Sequence, residues 1–223
     1  MKRALLAAML LVGWVAASSQ AYVTLYVDGD GDLSAFSSVP GGGADWEKVD
    51  EVGAHDGNSS YVASNDDGAI ALFSLQNLDL PDGARIDYVI LNAVIAFPDA
   101  QMRNGYFGIR SGGTDYWGSL LSVSANTSYA AYSRTYNTNP NGGLAWTDSA
   151  IDNLQVGFYI GSENRSGMRA TQIYLDVYYT AAQNPDPDPD PLPQPVTVPA
   201  PMSILLAGLG SGLFGWLRRR NAV

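Results

Sequence analysis

Thr171-Gln172-Ile173-Tyr174-Leu175-Asp176-Val177-Tyr178-Tyr179-Thr180 alternates without a break: Ile173, Leu175, Val177 and Tyr179 hold the odd positions, Gln172, Tyr174, Asp176 and Tyr178 the even ones. Successive side chains of a strand point to opposite faces, so a period of two lays one apolar face on a core and leaves the other half wet. Working outward, Asp87 to Phe97 repeats the pattern, with Val89, Leu91, Ala93, Ile95 and Phe97 on one face. Further strands are expected over 22–27, 70–75, 105–110, 128–136 and 154–159. Turn signals fall between them: Asp82-Gly83, Asn104-Gly105, Ser111-Gly112-Gly113 and Asn141-Gly142. No stretch sustains a helical period. The expected fold is all-β, an antiparallel β-sandwich of jelly-roll-like type over residues 22–182.

Composition agrees with that reading and excludes several kinds of chemistry. The chain has 223 residues, 46% of them hydrophobic and 15% charged, enough for one domain plus terminal segments. With no cysteine, disulfides, thiolate metal sites and a cysteine nucleophile are all ruled out. Five of the twelve basic residues lie at the ends: Lys2, Arg3, Arg218, Arg219 and Arg220. Residues 22–200 therefore carry 7 basic against 22 acidic groups, 7 − 22 = −15. Such a surface repels phosphate backbones, so nucleic acid is not an expected partner.

The two ends read as addresses. Met1-Lys2-Arg3, the apolar run Ala4 to Ala17 and the small-x-small site Ser19-Gln20-Ala21 have the order of a secretory signal peptide over residues 1–21. At the other end, Val198-Pro199-Ala200-Pro201 precedes an uncharged stretch from Met202 to Leu217, which is followed by Arg218-Arg219-Arg220. As a helix that stretch would run about 24 Å, short for a hydrocarbon core of roughly 30 Å unless the arginines snorkel to the cytoplasmic interface. Positive residues stay inside, which puts the acidic domain on the outer side. Between domain and tail, residues 183–197 contain Pro185-Asp186-Pro187-Asp188-Pro189-Asp190-Pro191. Alternating proline removes amide donors and fixes φ, so this linker extends as a spacer.

The tail, residues 198–223, resembles the PEP-CTERM sorting signal of Gram-negative bacteria that make exopolysaccharide. The resemblance rests on the Val198, Pro199, Ala200, Pro201 motif, the Gly-rich apolar segment Leu206 to Gly215 and the Arg218, Arg219, Arg220 cluster. The usual Glu between the two prolines is Ala200 here. The resemblance implies an exosortase-type processing enzyme as partner, an inner-membrane-anchored precursor, and delivery to the cell surface or extracellular matrix. A looser resemblance, carried by Asp45 to Glu51, Asp56 to Val62 and Gly143 to Thr147 with Gly157, links the central domain to a recurring sandwich module of phage, archaeal and bacterial surface proteins. It implies no particular chemistry.

Within the domain, catalysis finds no constellation. The one histidine, His55, lies in a polar loop, and no serine sits at nucleophile-elbow spacing. The expectation is a protein that is not an enzyme, with no catalytic residues and no organic cofactor. Asp28-Gly29-Asp30-Gly31-Asp32 alternates three carboxylates, Asp28, Asp30 and Asp32, in what reads as an acidic turn after the first strand. Hard cations such as calcium favour oxygen clusters of this kind, although the twelfth position counted from Asp28 holds Val39 rather than an acid. Aromatic residues offer a platform for sugar rings. The candidates are Trp117, Tyr116 and Trp146, with Tyr106, Tyr132 and Tyr136 behind them. Three functions stay open: a structural or adhesive component of the surface or biofilm matrix, a module that binds the producer's exopolysaccharide, and a secreted hydrolase.

Overall fold

The computed structural model describes residues 20–97, 105–121, 128–161 and 167–182. The leader up to residue 19, the linker and the whole sorting tail, including Val198, Pro199, Ala200, Pro201, Arg218, Arg219 and Arg220, lie outside them. No helix among the described residues is long and apolar enough to cross a membrane.

The chain forms β1 (Gln20–Ser34), β2 (Ser37–Val39), β3 (Tyr61–Ser64), β4 (Ile70–Leu75), β5 (Arg85–Ala96), β6 (Gly105–Ser111), β7 (Thr114–Trp117), β8 (Ala130–Tyr136), β9 (Gln155–Ile160) and β10 (Met168–Thr180). Among the described residues there is one α-helical turn, α1 (Asp148–Asp152), capped by Thr147, whose side chain accepts from the Ala150 N–H. All strand pairs are antiparallel. Strand β10, the segment with the cleanest alternation, is the hub of one sheet: β5 pairs along its whole length, and β3 and β1 share its other edge. Beyond β5 lies β8, and beyond β3 lies β2. The second sheet runs β1-β4-β9-β6-β7.

Strand β1 belongs to both sheets. Residues 20–26 pair with β10 and residues 27–34 with β4. The inner faces meet in one core that includes Leu25, Val89, Leu91, Ile173, Leu175 and Val177 from the first sheet and Phe73, Ile109, Val156 and Phe158 from the second. This is the expected antiparallel sandwich: in β10 Ile173, Leu175 and Val177 face the core and Tyr174, Asp176 and Tyr178 face out, whereas before the register shift between Ala170 and Gln172 it is Met168 and Ala170 that join the core. The strands expected over 70–75, 87–97, 105–110, 128–136, 154–159 and 171–180 are present with ends shifted by a few residues.

The acidic segment corrects the expectation of a turn. The chain remains extended through Asp28, Asp30 and Asp32, with register shifts between Val27 and Gly29 and between Asp30 and Ser34. Such bulges bend a strand and let it change partner, which is what a corner shared by two sheets needs. At the second shift the chain settles over the outside of β4. A Cβ on Gly31 would fall 2.8 Å from the Leu72 main chain and from Gln155 Oε1, so only glycine permits the approach. Leu72 points away from the core and is nevertheless fully buried beneath this segment.

One further cluster ties the 50–60 loop to β10. Gln172 Nε2 donates to the Glu51 and Gly53 carbonyls at 2.6 and 3.1 Å. Ser60 Oγ lies 3.0 Å from Glu51 Oε1 and 2.9 Å from Asp56 Oδ2, and Thr171 Oγ1 donates toward Asp56 Oδ1 at 3.0 Å. A hydroxyl has one proton to give, so two carboxylates on Ser60 are better served if one is protonated. Burial, followed by the nearby Asp56 carboxylate, pushes Glu51 up to about 7 from its ordinary 4.5. The folded state therefore holds a proton that the unfolded chain releases near 4.5, and stability falls as pH rises from about 5 through 7. Because the side chain is only half-buried, the loss is expected to be on the order of 1 kcal/mol. Melting at pH 5 and pH 8 should show it, and Glu51→Gln should flatten the difference; equal slopes for both proteins would contradict this account.

Candidate functional site: a tyrosine-walled groove

The outer face of the first sheet follows from three short alternations. In β1 the outward residues are Tyr22, Thr24 and Tyr26; in β10 they are Tyr178, Asp176 and Tyr174. Antiparallel register sets them directly opposite, as Tyr22↔Tyr178, Thr24↔Asp176 and Tyr26↔Tyr174. Strand β5 extends the rows with Tyr88 beside Tyr178, Ile90 beside Asp176 and Asn92 beside Tyr174. Beyond it, β8 adds Thr135 beside Ile90 and Ser133 beside Asn92.

The first row is a ladder of rings. Tyr22 and Tyr178 stack at 5.3 Å and 25°, and Tyr178 and Tyr88 stack at 4.6 Å and 15°. The outermost ring, Tyr22, is 61% exposed. The other wall is the tilted pair Tyr26 and Tyr174 at 5.9 Å. At about 3.4 Å per residue, the four-residue step from Tyr22 to Tyr26 separates the walls by roughly 13 Å. Shorter side chains, Thr24, Asp176, Ile90 and Thr135, form the floor. An open pocket of about 300 Å³ lies between the walls on β1 and β10, with Gly53 at its margin.

A hydrogen-bonded chain fixes the polar side chains. Thr24 Oγ1 donates to Asp176 Oδ1 at 2.6 Å, Asn92 Nδ2 to Asp176 Oδ2 at 2.9 Å, and Ser133 Oγ to Asn92 Oδ1 at 2.7 Å. Each Asp176 oxygen keeps acceptor capacity toward the groove. The carboxylate also acts on the walls: burial, then the charge of Asp176, raises the Tyr174 phenol, so its hydroxyl stays a donor at neutral pH. Apolar ring surfaces with hydroxyl tips around a fixed row of acceptors suit a ligand that alternates C–H faces with hydroxyls.

Of the aromatic candidates read from the sequence, Trp146 is corrected outright. It is 4% exposed, and its indole N–H donates to the Tyr136 carbonyl at 3.0 Å, which makes it a core anchor. Tyr136 is likewise buried, and Tyr116 and Tyr132 pack against the core. Trp117 and Tyr106 do lie together, on the outside of the second sheet. Each stacks on Tyr159, at 5.5 and 5.4 Å. Next to this stack Arg110 is held by Asp115 at 2.6 Å and by Asp32 at 3.3 Å.

The three aspartates do not converge on one point. Asp30 Oδ1 accepts from the Trp46 N–H at 3.0 Å. Hydrogen bonding from Gln155 and then Arg110 holds the Asp32 carboxyl below the usual carboxylate range. Among the described residues no three His, Cys, Asp or Glu side chains are gathered as a metal site. Sequence alone does not mark the groove, because Tyr22, Tyr26 and Tyr88 are ordinary strand residues until the register is known; the local signal is the Tyr-x-Asp-x-Tyr face of residues 174–178.

No family model matches the chain, and no curated relative does. Among solved structures, it is similar to a CBM35 module from Cellvibrio japonicus Abf62, at 15% identity over 74% of this chain and 100% of that one, with a TM-score of 0.35. It is also similar to the xylan-binding module CBM15, at 13% identity over 74% of this chain and 100% of that one, TM-score 0.36. The coat protein of Tobacco streak virus stands at the same level, 10% identity over 82% and 100%, TM-score 0.35. A sugar-binding module and a virus coat protein at equal distance assign no ligand.

Proposed function

We propose that the chain is an exported surface or matrix protein whose sandwich domain binds a polysaccharide, the producer's own exopolysaccharide, along the tyrosine-walled groove. The observation that carries this reading is the matched Tyr22-Thr24-Tyr26 and Tyr178-Asp176-Tyr174 face, a polar row between two tyrosine walls. Binding of this kind would serve an adhesive role. Cleavage after Ala21 would make Tyr22, the outermost ring of the ladder, the first residue of the exported form.

The test is electrophoresis of the exported protein through a native gel containing the polysaccharide of the producing strain. Retardation that grows with polymer concentration is the expected result; mobility equal to that in a plain gel at every concentration would overturn the proposal. The delivery route has its own test. Proline lacks an amide donor and is excluded from helix interiors, so prolines at 199 and 201 would leave the motif open to a protease. Replacing both with alanine should leave full-length protein in the inner membrane, whereas the unaltered chain should be released with a C-terminus near residue 200. Mass spectrometry of both fractions decides this, and intact Val223 on all unaltered protein in a host with an exosortase would reduce the tail to an anchor.

A further inference from the structure

Arg134 lies on β8 opposite Leu91, on the inward side of that edge strand. Its guanidinium carbon sits 4.7 Å from the centre of the Tyr136 ring, and its Nη1 is buried without a hydrogen-bond partner. Arg85 and Arg110, by contrast, each meet a carboxylate within 3 Å. A ring face answers part of a guanidinium's charge, but a buried charged N–H without an acceptor costs free energy that an arriving acceptor would recover.

The space for such an acceptor is present. A cavity of about 240 Å³ opens beside Arg134, with Phe107, Leu120 and Tyr132 as apolar wall and Ser119 at its margin. Gly118 packs directly on the guanidinium: a Cβ there would lie 2.8 Å from Arg134 Nη1 and 2.9 Å from the Phe107 carbonyl oxygen, so only glycine fits at this side of the cavity. The volume suits one ring-sized group rather than a larger ligand. The net negative charge of the chain as a whole penalises a multiply charged anion more than a singly charged one. A planar guanidinium beside aromatic and aliphatic walls matches a carboxylate carried on a partly apolar body.

We propose that this cavity is a carboxylate-binding site and that its ligand is a single acidic sugar residue. The carboxylate takes the free N–H of Arg134, the C–H face of the sugar ring packs on Tyr132 and Leu120, and Ser119 meets a hydroxyl. The site goes beyond the groove and does not rest on it, since its residues stand at the β8 edge and the tyrosine walls on β1, β10 and β5.

Calorimetric titration of the exported protein with glucuronate, glucose and inorganic phosphate tests the proposal. Glucuronate should bind at least tenfold more tightly than glucose or phosphate. Arg134→Gln should abolish the preference, Arg134→Lys should keep part of it, and Tyr174→Ala with Tyr178→Ala should leave it intact, so that this site and the groove fail separately. If Arg134→Gln does not fold, the guanidinium nitrogen resonances of Arg134 in the unaltered protein decide: a shift with glucuronate and none with glucose supports the site. Equal affinity for glucuronate and glucose, a phosphate response as strong, or Arg134 resonances unmoved by glucuronate would overturn it.

Discussion

Phe158→Ala is expected to destabilise the domain by about 3–5 kcal/mol, the largest effect of any single core truncation proposed for it. Phe158 is 0% exposed, with Phe36 at 6.3 Å and Phe73 edge-on at 6.2 Å. Its strand, β9, is hydrogen-bonded to β4 on one side and β6 on the other, so neither neighbour can close on the void. The cost is the lost transfer of the ring plus the cavity left behind. At roughly 2–4 °C per kcal/mol for a domain of this size, the midpoint should fall by roughly 10 °C. Leu144→Ser, at a side chain 72% exposed, should change it by less than about 1 kcal/mol. Thermal unfolding of both variants checks the contrast; a Phe158→Ala loss below about 1 kcal/mol would mean that the inner faces of the sheets do not meet as described.

The second large effect concerns binding. Tyr174→Ala with Tyr178→Ala removes one ring from each wall of the groove and should weaken polysaccharide retardation by roughly 30- to 150-fold, the equivalent of about 2–3 kcal/mol. Neither side chain is in the core, so stability should drop by no more than about 1 kcal/mol. Trp117→Ala, on the opposite sheet, is the matched control and should leave retardation unchanged. Loss of binding in Trp117→Ala with retention in the double variant would move the site to the Trp117, Tyr159 and Tyr106 stack.

The sandwich was legible because burial on one face imposes a period of two, and strands such as 171–180 and 87–97 are long enough for it to register. Three strands leave no such trace in the sequence: Ser37–Val39, Tyr61–Ser64 and Thr114–Trp117. Each has three or four residues, too few for alternation to stand out. The last follows a turn that the glycines do announce, since Gly112 and Gly113 have φ of 58° and 77°, the left-handed conformations a two-residue hairpin requires.

The Asp28 to Asp32 segment reads as a turn because glycine and aspartate disfavour strands. Long-range pairing of Gly29 with Ser74 and of Asp30 with Phe73 overrides that local preference. Trp146 shows the opposite misreading, a loop residue that anchors the core. The groove needed information that no local pattern holds. Pairing Tyr22 with Tyr178 closes a loop of more than 150 residues, and only that register turns two unremarkable Tyr-x-polar-x-Tyr strings into facing walls.

Whether the groove on the outside of the first sheet is the polysaccharide site is decided by mapping amide and side-chain chemical shifts of the protein as oligosaccharides of the producing strain's polymer are added. Shifts concentrated on Tyr22, Thr24, Tyr26, Tyr88, Tyr174, Asp176 and Tyr178 are expected, with Trp117 and Tyr159 unmoved. Saturating oligosaccharide that leaves these groove residues unshifted, or that shifts only the second sheet, would contradict that assignment.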